Sequence, residues 1–343
     1  MTASTTRESA PPSYQDVAPL MRLADLMAPM AVRVAATLRL PDHIAAGHVT
    51  VDELAMAVGA DRDALRRLLR FLVARGLFER VGDRYALTPM SALLLADHPD
   101  QLRSRFDLSG PVARGDLCFI DLLHTVRTGE PAYPVTYGST FWEDLDADPE
   151  LGAKFGAMMA ATVTASGIES RYDWSGVRHV VDVGGGTGEL ISQVLRAHPG
   201  IHGTIVDLPS TADRARTALA GRGLADRCDV VPGSFFEPLP AGADVYLLCK
   251  VLHDWDDEHA RSILRRCAEA AGPSGRVLVL EMMLTGVENE PQFTYLDLHM
   301  LAYFGGRERT LAEYQDLAAS AGLRLRRAGD GKWGGSILEC VAA

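Results

Sequence analysis

Lysine is nearly absent from this 343-residue chain: Lys154, Lys250 and Lys332 stand against 31 arginines. Basic charge as a whole is outweighed, and the formal net charge is -11. That balance disfavours a general nucleic-acid binder, which needs a basic footprint to displace phosphate counterions. It equally disfavours an anionic membrane surface as partner. Long apolar runs are missing too. The longest uncharged helical stretch, 155–168, has 14 residues and contains Thr, Ser and Gly, where a membrane span needs about 20 apolar residues. Cysteine is sparse: Cys118, Cys228, Cys249, Cys267 and Cys340 are scattered, odd in number and without a CxxC pair. Neither a zinc site nor a disulfide framework is indicated, and a reducing cytoplasm is the expected home. The opening fifteen residues are polar and Pro-rich, with no apolar core of the signal-peptide kind. They read as a disordered tail, 1–15.

What remains is ordinary globular composition, with 47% hydrophobic and 23% charged residues. At about 150 residues per domain, the length suggests two domains. Beyond the tail, the chain divides into three pieces. In the first, 16–105, the apolar stretch 20–38 reads as helical with a kink at Pro29. Thr50 caps the next helix, with Asp52 and Glu53 in its first turn. Leu65, Leu68, Leu69, Leu72 and Val73 mark an amphipathic helix over 64–75, stopped by Gly76. The runs 77–81 and 85–88 around Gly82-Asp83 read as a hairpin. Two helices and a hairpin make a winged helix. Arg62, Arg66, Arg67, Arg70 and Arg75 would suit a DNA-recognition helix. Yet residues 1–100 hold eleven Arg against twelve Asp and Glu, so a solvated face on a dimerisation or scaffold domain is the better reading.

The second piece, 106–175, reads as helical and is rich in aromatics and Met. It joins the two larger pieces, and ligands favour such junctions. The third, 176–343, alternates strand-like runs (179–183, 203–207, 228–232, 244–249, 277–281, 323–327, 336–341) with helical ones (188–198, 210–222, 257–271, 310–321). That alternation predicts a doubly wound, mostly parallel seven-stranded sheet of the Rossmann-like α/β kind, its last two strands antiparallel.

The strand ending Val181-Asp182-Val183 runs into Gly184-Gly185-Gly186-Thr187-Gly188 and then a helix. Glycines there let a ligand approach the helix N-terminus. A dinucleotide fingerprint counted from Gly184 needs glycine at 189, and Glu189 stands there. The preceding Asp182 opposes a pyrophosphate but suits a cation or an amino group. S-adenosylmethionine carries both, as a sulfonium and an α-ammonium. Asp207, ending the second strand, is placed to accept ribose hydroxyls, or it opens the Asp207-Leu208-Pro209 turn. Gly233-Ser234-Phe235 follows the third strand, where an aromatic ring is placed to sandwich an adenine or to fill core.

The succession VVDVGGGTGEL, VDLP, GSFFEPLP, VLHDWDDEHA and GGRERT resembles the S-adenosylmethionine-dependent O-methyltransferases of the plant caffeate type, in their bacterial natural-product branch. The resemblance spans nearly the full chain. It implies a winged-helix N-terminal domain used for homodimerisation and S-adenosyl-L-methionine as cofactor, with S-adenosyl-L-homocysteine as product. Asp182, Gly184, Gly186, Asp207, Ser234, Phe235 and Lys250 are the candidate cofactor contacts. Two positions depart from the pattern. Ser234 stands where the family usually has Asp. A family Lys lies four residues before the histidine, where this chain has Cys249, with Lys250 three before.

Methyl transfer from a sulfonium needs alignment and a competent nucleophile. A phenol is mostly protonated at neutral pH, so a positioned base helps. His253, just past the fourth strand, is the candidate and matches the family's catalytic histidine. Glu281, ending the fifth strand, and Glu308 match the carboxylates that flank it, placed to fix the tautomer and stabilise imidazolium. Met158, Met159, Asp254, Met300, Tyr303 and Phe304 are the candidate acceptor-facing residues, with core packing an equal alternative for the apolar ones. The implied reaction is methylation of a phenolic hydroxyl on an aromatic, polyketide-type secondary metabolite, without metal. Two alternatives stay open: a hydroxylase or decarboxylase on the same cofactor-binding scaffold, and a winged-helix DNA-binding regulator.

Overall fold

The computed structural model describes residues 14–164, 166–284, 291–329 and 336–343. The expected tail, 1–15, lies outside them as far as residue 13; Tyr14 opens the first helix, Tyr14–Leu23. The chain forms two compact units, Met1–Ala113 and Arg114–Ala343.

In the first unit the stretch 20–38 breaks earlier than expected. Helix Tyr14–Leu23 is followed by Met27–Thr37, so Pro29 sits in the first turn of the second helix. A first-turn proline removes an amide that has no helical acceptor anyway. Thr50 caps helix Val51–Val58 in a capping box with Glu53. Asp61 caps helix Arg62–Ala74, whose Leu65, Leu69 and Leu72 are buried. Strands β1 (Phe78–Val81) and β2 (Arg84–Leu87) close the hairpin, pairing Phe78 with Leu87 and Val81 with Arg84. The helix arginines face carboxylates: Arg62 pairs with Asp52, Arg66 and Arg67 with Asp63, and Arg75 with Asp25. That is the solvated, charge-balanced face rather than a free cationic one.

The second unit is built on a seven-stranded sheet. Its strands are β3 (His179–Val183), β4 (His202–Asp207), β5 (Cys228–Pro232), β6 (Val245–Cys249), β7 (Arg276–Glu281), β10 (Leu323–Gly329) and β11 (Ser336–Ala342). Two short strands, β8 (Met283–Leu284) and β9 (Arg309–Thr310), pair separately. The sheet order is β10-β11-β7-β6-β3-β4-β5. Strands β3 to β7 are parallel, and β11 runs antiparallel to both β7 and β10. The central strands are apolar on both faces, as helices cover both. The chain winds outward from β3 through β4 and β5, then returns to the other side of β3 with β6. That reversal opens a crevice at the carboxyl edge between β3 and β6, where ligands bind in this architecture.

Candidate active site

The crevice begins with the turn after β3. Gly184, Gly186 and Gly188 have φ of 70°, 57° and 75°, a left-handed conformation that glycine adopts at least cost. Gly185 is needed for space: a Cβ there would come within 2.7 Å of the Asp182 carboxyl. Gly184, Gly185 and Gly186 line a solvent-open cavity of about 1060 Å³ with Asp207, Lys250, Trp142, Phe155 and Met159. Helix Glu189–Ala197 starts at Gly188 and aims its N-terminus toward it.

Asp182 is 1% exposed. Burial, reinforced by Asp207, pushes its carboxyl up to about 7, against a backbone hydrogen bond from Ile191. Its Oδ2 has no hydrogen-bond partner among the described residues. A buried orphan acceptor in a glycine-lined crevice calls for a donor or a cation. Asp207 accepts the Gly186 and Leu208 amides at 2.8 Å each. Each oxygen keeps acceptor capacity for a diol. The donor set fits a ligand with an ammonium at one end and a ribose beyond it.

Phe235 also reaches this turn, its ring 3.5 Å from where a Gly184 Cβ would stand. It packs edge-on against Phe236 and Trp255. The Ser234 hydroxyl is turned locally, accepting the Phe236 amide at 3.2 Å. Lys250 closes the end of β6 in a left-handed conformation, φ 54°, which costs a non-glycine residue energy and is typical of functional edges.

Past β6 a single turn, Leu252–Asp254, presents His253. His253 Nδ1 lies 2.8 Å from Glu308 Oε1 and 3.8 Å from Glu281 Oε2; Nε2 is 3.4 Å from Asp254 Oδ1. Glu281 is fixed from below, its Oε1 accepting the Val251 and Leu252 amides at 3.0 and 2.9 Å. Burial works against an imidazolium here, yet Glu281, Asp254 and Glu308 outweigh it and push the ring up to about 10. Burial likewise raises the Glu281 carboxyl, and pushes Asp254 up to about 7. The arrangement holds Nδ1 as a donor to Glu308 and leaves Nε2 to take up a proton.

Sequence reasoning missed the clamp behind this histidine. Arg309 is fully buried. Its guanidinium donates to the Leu252 and Trp255 carbonyls at 2.9 and 2.8 Å and to Asp257 at 2.8 Å. The Arg307 amide donates to the His253 carbonyl at 2.9 Å. Gly306 packs so closely that a Cβ would overlap that carbonyl. The segment GGRERT therefore supplies Glu308 and also holds the turn. Only the carboxylate was legible, since a buried arginine has no local sequence signature.

The acceptor-facing candidates separate. Both Met158 and Met159 are half-buried, and of the two Met159 lines the crevice. Met300 is buried, and its carbonyl accepts the Gly306 amide at 3.1 Å. Phe304 stacks on Trp142 with ring centroids 5.1 Å apart. Tyr303 is core: it packs with Phe119, Phe141 and Phe304 and donates its hydroxyl to Asp116. Asp116 also meets His299 Nε2 at 2.9 Å, a buried polar network that the sequence did not announce.

Comparison with known proteins places this geometry. Residues 119–324 match the O-methyltransferase domain, and residues 21–97 match the O-methyltransferase dimerisation domain. The chain is 54% identical over 312 residues to the 2,7-dihydroxy-5-methyl-1-naphthoate 7-O-methyltransferase of Streptomyces carzinostaticus, covering 90% of this chain and 93% of that protein. It is 45% identical to aclacinomycin 10-hydroxylase RdmB of Streptomyces purpurascens, covering 95% of this chain and 89% of that one. The crystal structure of NcsB1, an O-methyltransferase from neocarzinostatin biosynthesis, in complex with S-adenosyl-L-homocysteine and 1,4-dihydroxy-2-naphthoic acid, superposes with a TM-score of 0.90. It is 52% identical and covers 94% of this chain and 98% of its own. Among the described residues no helix is long and apolar enough to cross a membrane. The chain belongs to the O-methyltransferase family whose members join a dimerisation domain to an O-methyltransferase domain.

Proposed function

We propose that the protein transfers the methyl group of S-adenosylmethionine to a hydroxyl on a fused aromatic acceptor, with His253 as general base. The observation that carries the reading is the buried His253–Glu308 pair, 2.8 Å apart, at the carboxyl edge of the sheet that also holds the orphaned Asp182. Asp182 takes the ammonium end of the cofactor, Asp207 the ribose, and Phe235 and Ser234 flank the adenine. Lys250 and the glycine turn complete the cradle. Bound there, the cofactor supplies an electrophilic methyl on a sulfonium. His253 Nε2 receives the acceptor's hydroxyl proton, and Glu281 and Glu308 hold the ring and balance its charge. Met158, Met159, Asp254, Met300 and Phe304 face the acceptor, and Tyr303 supports them from the core. The acceptor class, a hydroxylated naphthoate or polyketide ring, follows from similarity to the naphthoate methyltransferase.

A homodimer through the first unit fits its exposed apolar residues: Leu23 is 87% and Leu26 76% exposed, a patch that solvent does not favour. We place the reaction in the cytoplasm, where the five free cysteines would stay reduced.

The test incubates the protein with methyl-labelled S-adenosylmethionine and a panel of hydroxynaphthoates and phenols, beside His253→Ala. The expected result is label on the acceptor, with the rate falling by about 10²–10⁴ in the variant. Undiminished transfer by His253→Ala would refute the base. A hydroxylase is the second reading, supported by the 45% identity to RdmB. A product heavier by one oxygen, without label, would establish it.

A further inference from the structure

Methylation of a hydroxyl leaves a proton behind. The O–H bond breaks and an O–CH3 bond forms, while the S–CH3 bond breaks with its electrons passing to sulfur. His253 must shed that proton before the next acceptor can react. Its two flanking carboxylates are differently built. Glu281 is committed: Oε1 already accepts two backbone amides, and Oε2, like that of Glu308 buried without a hydrogen-bond partner among the described residues, lies 3.8 Å from the ring. Glu308 is buried too, 2% exposed, but among the described residues its carboxylate accepts no backbone amide. Its Oε1 meets Nδ1 at 2.8 Å, while its Oε2 is buried and without a hydrogen-bond partner among the described residues. Glu308 also lines a second, solvent-open cavity of about 1210 Å³ with Asp256, Asp257, Asp297, Leu301 and Glu313. The Asp297 carboxylate fixes it by accepting the Glu308 amide at 2.9 Å.

We propose that Glu308 is the exit for the reaction proton, linking the histidine to this outer cavity. The proton enters the ring at Nε2. The ring releases a different proton from Nδ1 to Glu308 Oε1. The carboxyl turns, and Oε2 passes the proton to water in the cavity. The base is therefore reset from the side away from Nε2. The two carboxylates thus have separate tasks: Glu281 positions, and Glu308 carries charge out. The proposal rests on His253 being the base.

The test follows ring-proton exchange in the whole protein labelled with 15N-histidine. Leu301→Trp narrows the outer cavity beside Glu308 without replacing a residue that contacts His253. Glu308→Gln keeps an acceptor for Nδ1–H but takes no proton. The His253 Nδ1 proton should exchange with water at least about tenfold faster in the unaltered protein than in either variant. In both variants kcat should fall by a similar factor and become dependent on the concentration of small buffer bases. The acceptor KM of Leu301→Trp should not move. Equal exchange in all three proteins, or full kcat in Leu301→Trp, overturns the proposal. If the unaltered protein transfers no methyl group, the methyl-transfer reading falls, and the exchange rates still decide the route.

Discussion

Raising the pH from 7 to 9 should raise kcat/KM about a hundredfold for an acceptor of ordinary phenol acidity, whose pKa is near 10. The reasoning starts from the three carboxylates that push His253 up to about 10. The reacting pair holds one proton, shared between Nε2 and the acceptor oxygen. Below pH 9 the free partners hold two, as imidazolium and phenol. One must go to bulk water before a productive complex exists. Its loss becomes about tenfold harder, or about 1.4 kcal/mol, with each unit the pH falls. Which partner gives it up does not matter, because the resulting complex has the same composition. The profile therefore climbs through neutrality, levels near 10 and then declines as both partners become fully deprotonated. An unperturbed histidine would give a plateau from about 7 to 9 instead, since its pKa near 6.5 lies below that range. Initial rates at constant ionic strength and saturating cofactor separate the two. A flat profile over that range would refute the reasoning. Glu308→Gln should shift the acid limb down by about one to three units, the effect of an opposite charge at contact. Proton exit follows chemistry and acts on kcat, so kcat/KM reports the ring.

Asp182→Asn should stabilise the cofactor-free protein while weakening cofactor binding. Its carboxyl rises from the usual 3.8 to about 7, so its penalty is absent below pH 4, grows to pH 7 and is constant above. Converted at about 1.4 kcal/mol per unit, the gain at pH 8 is at most about 4 kcal/mol; equal urea stability of both proteins at pH 8 would contradict this. Gly306→Ala should displace the His253 turn, cutting kcat about tenfold or more with cofactor affinity unchanged by calorimetry. Arg309→Met removes the guanidinium from the Leu252 and Trp255 carbonyls and from half-exposed Asp257, which keeps Arg307. It should cost about 3 kcal/mol, seen as a melting point lower by roughly 5–10 °C; an unchanged melting curve would count against the clamp.

The sheet was legible because its strands are buried on both faces and so read as continuous apolar runs between glycine turns. Strands β3 and β7 show it best; β10, at the sheet edge, is largely exposed and alternates Leu with Arg. Thr50 was legible because a capping box is local. The break before Met27 was not, since no single residue marks it and Pro29 sits where a helix tolerates it. In the site, residues that end successive strands are found by position, because topology brings strand ends to one edge. The clamp and the Asp116–His299–Tyr303 network join residues far apart in sequence. No spacing rule reports such contacts.

The clamp follows directly on helix Pro291–Phe304, which carries Met300 and Phe304. The Met300 carbonyl takes the Gly306 amide, and the next residue's amide holds the His253 carbonyl. Acceptor choice and base alignment are therefore mechanically linked. A substitution that tilts this helix to admit a bulkier ring also drags the base away from it. Diversification of such a scaffold is thus easiest on the wall around Met159, which lines the crevice, and not at Trp142, which stacks on Phe304 of that helix. Libraries aimed at new acceptors should vary that wall and leave the segment from Gly305 to Arg309 untouched.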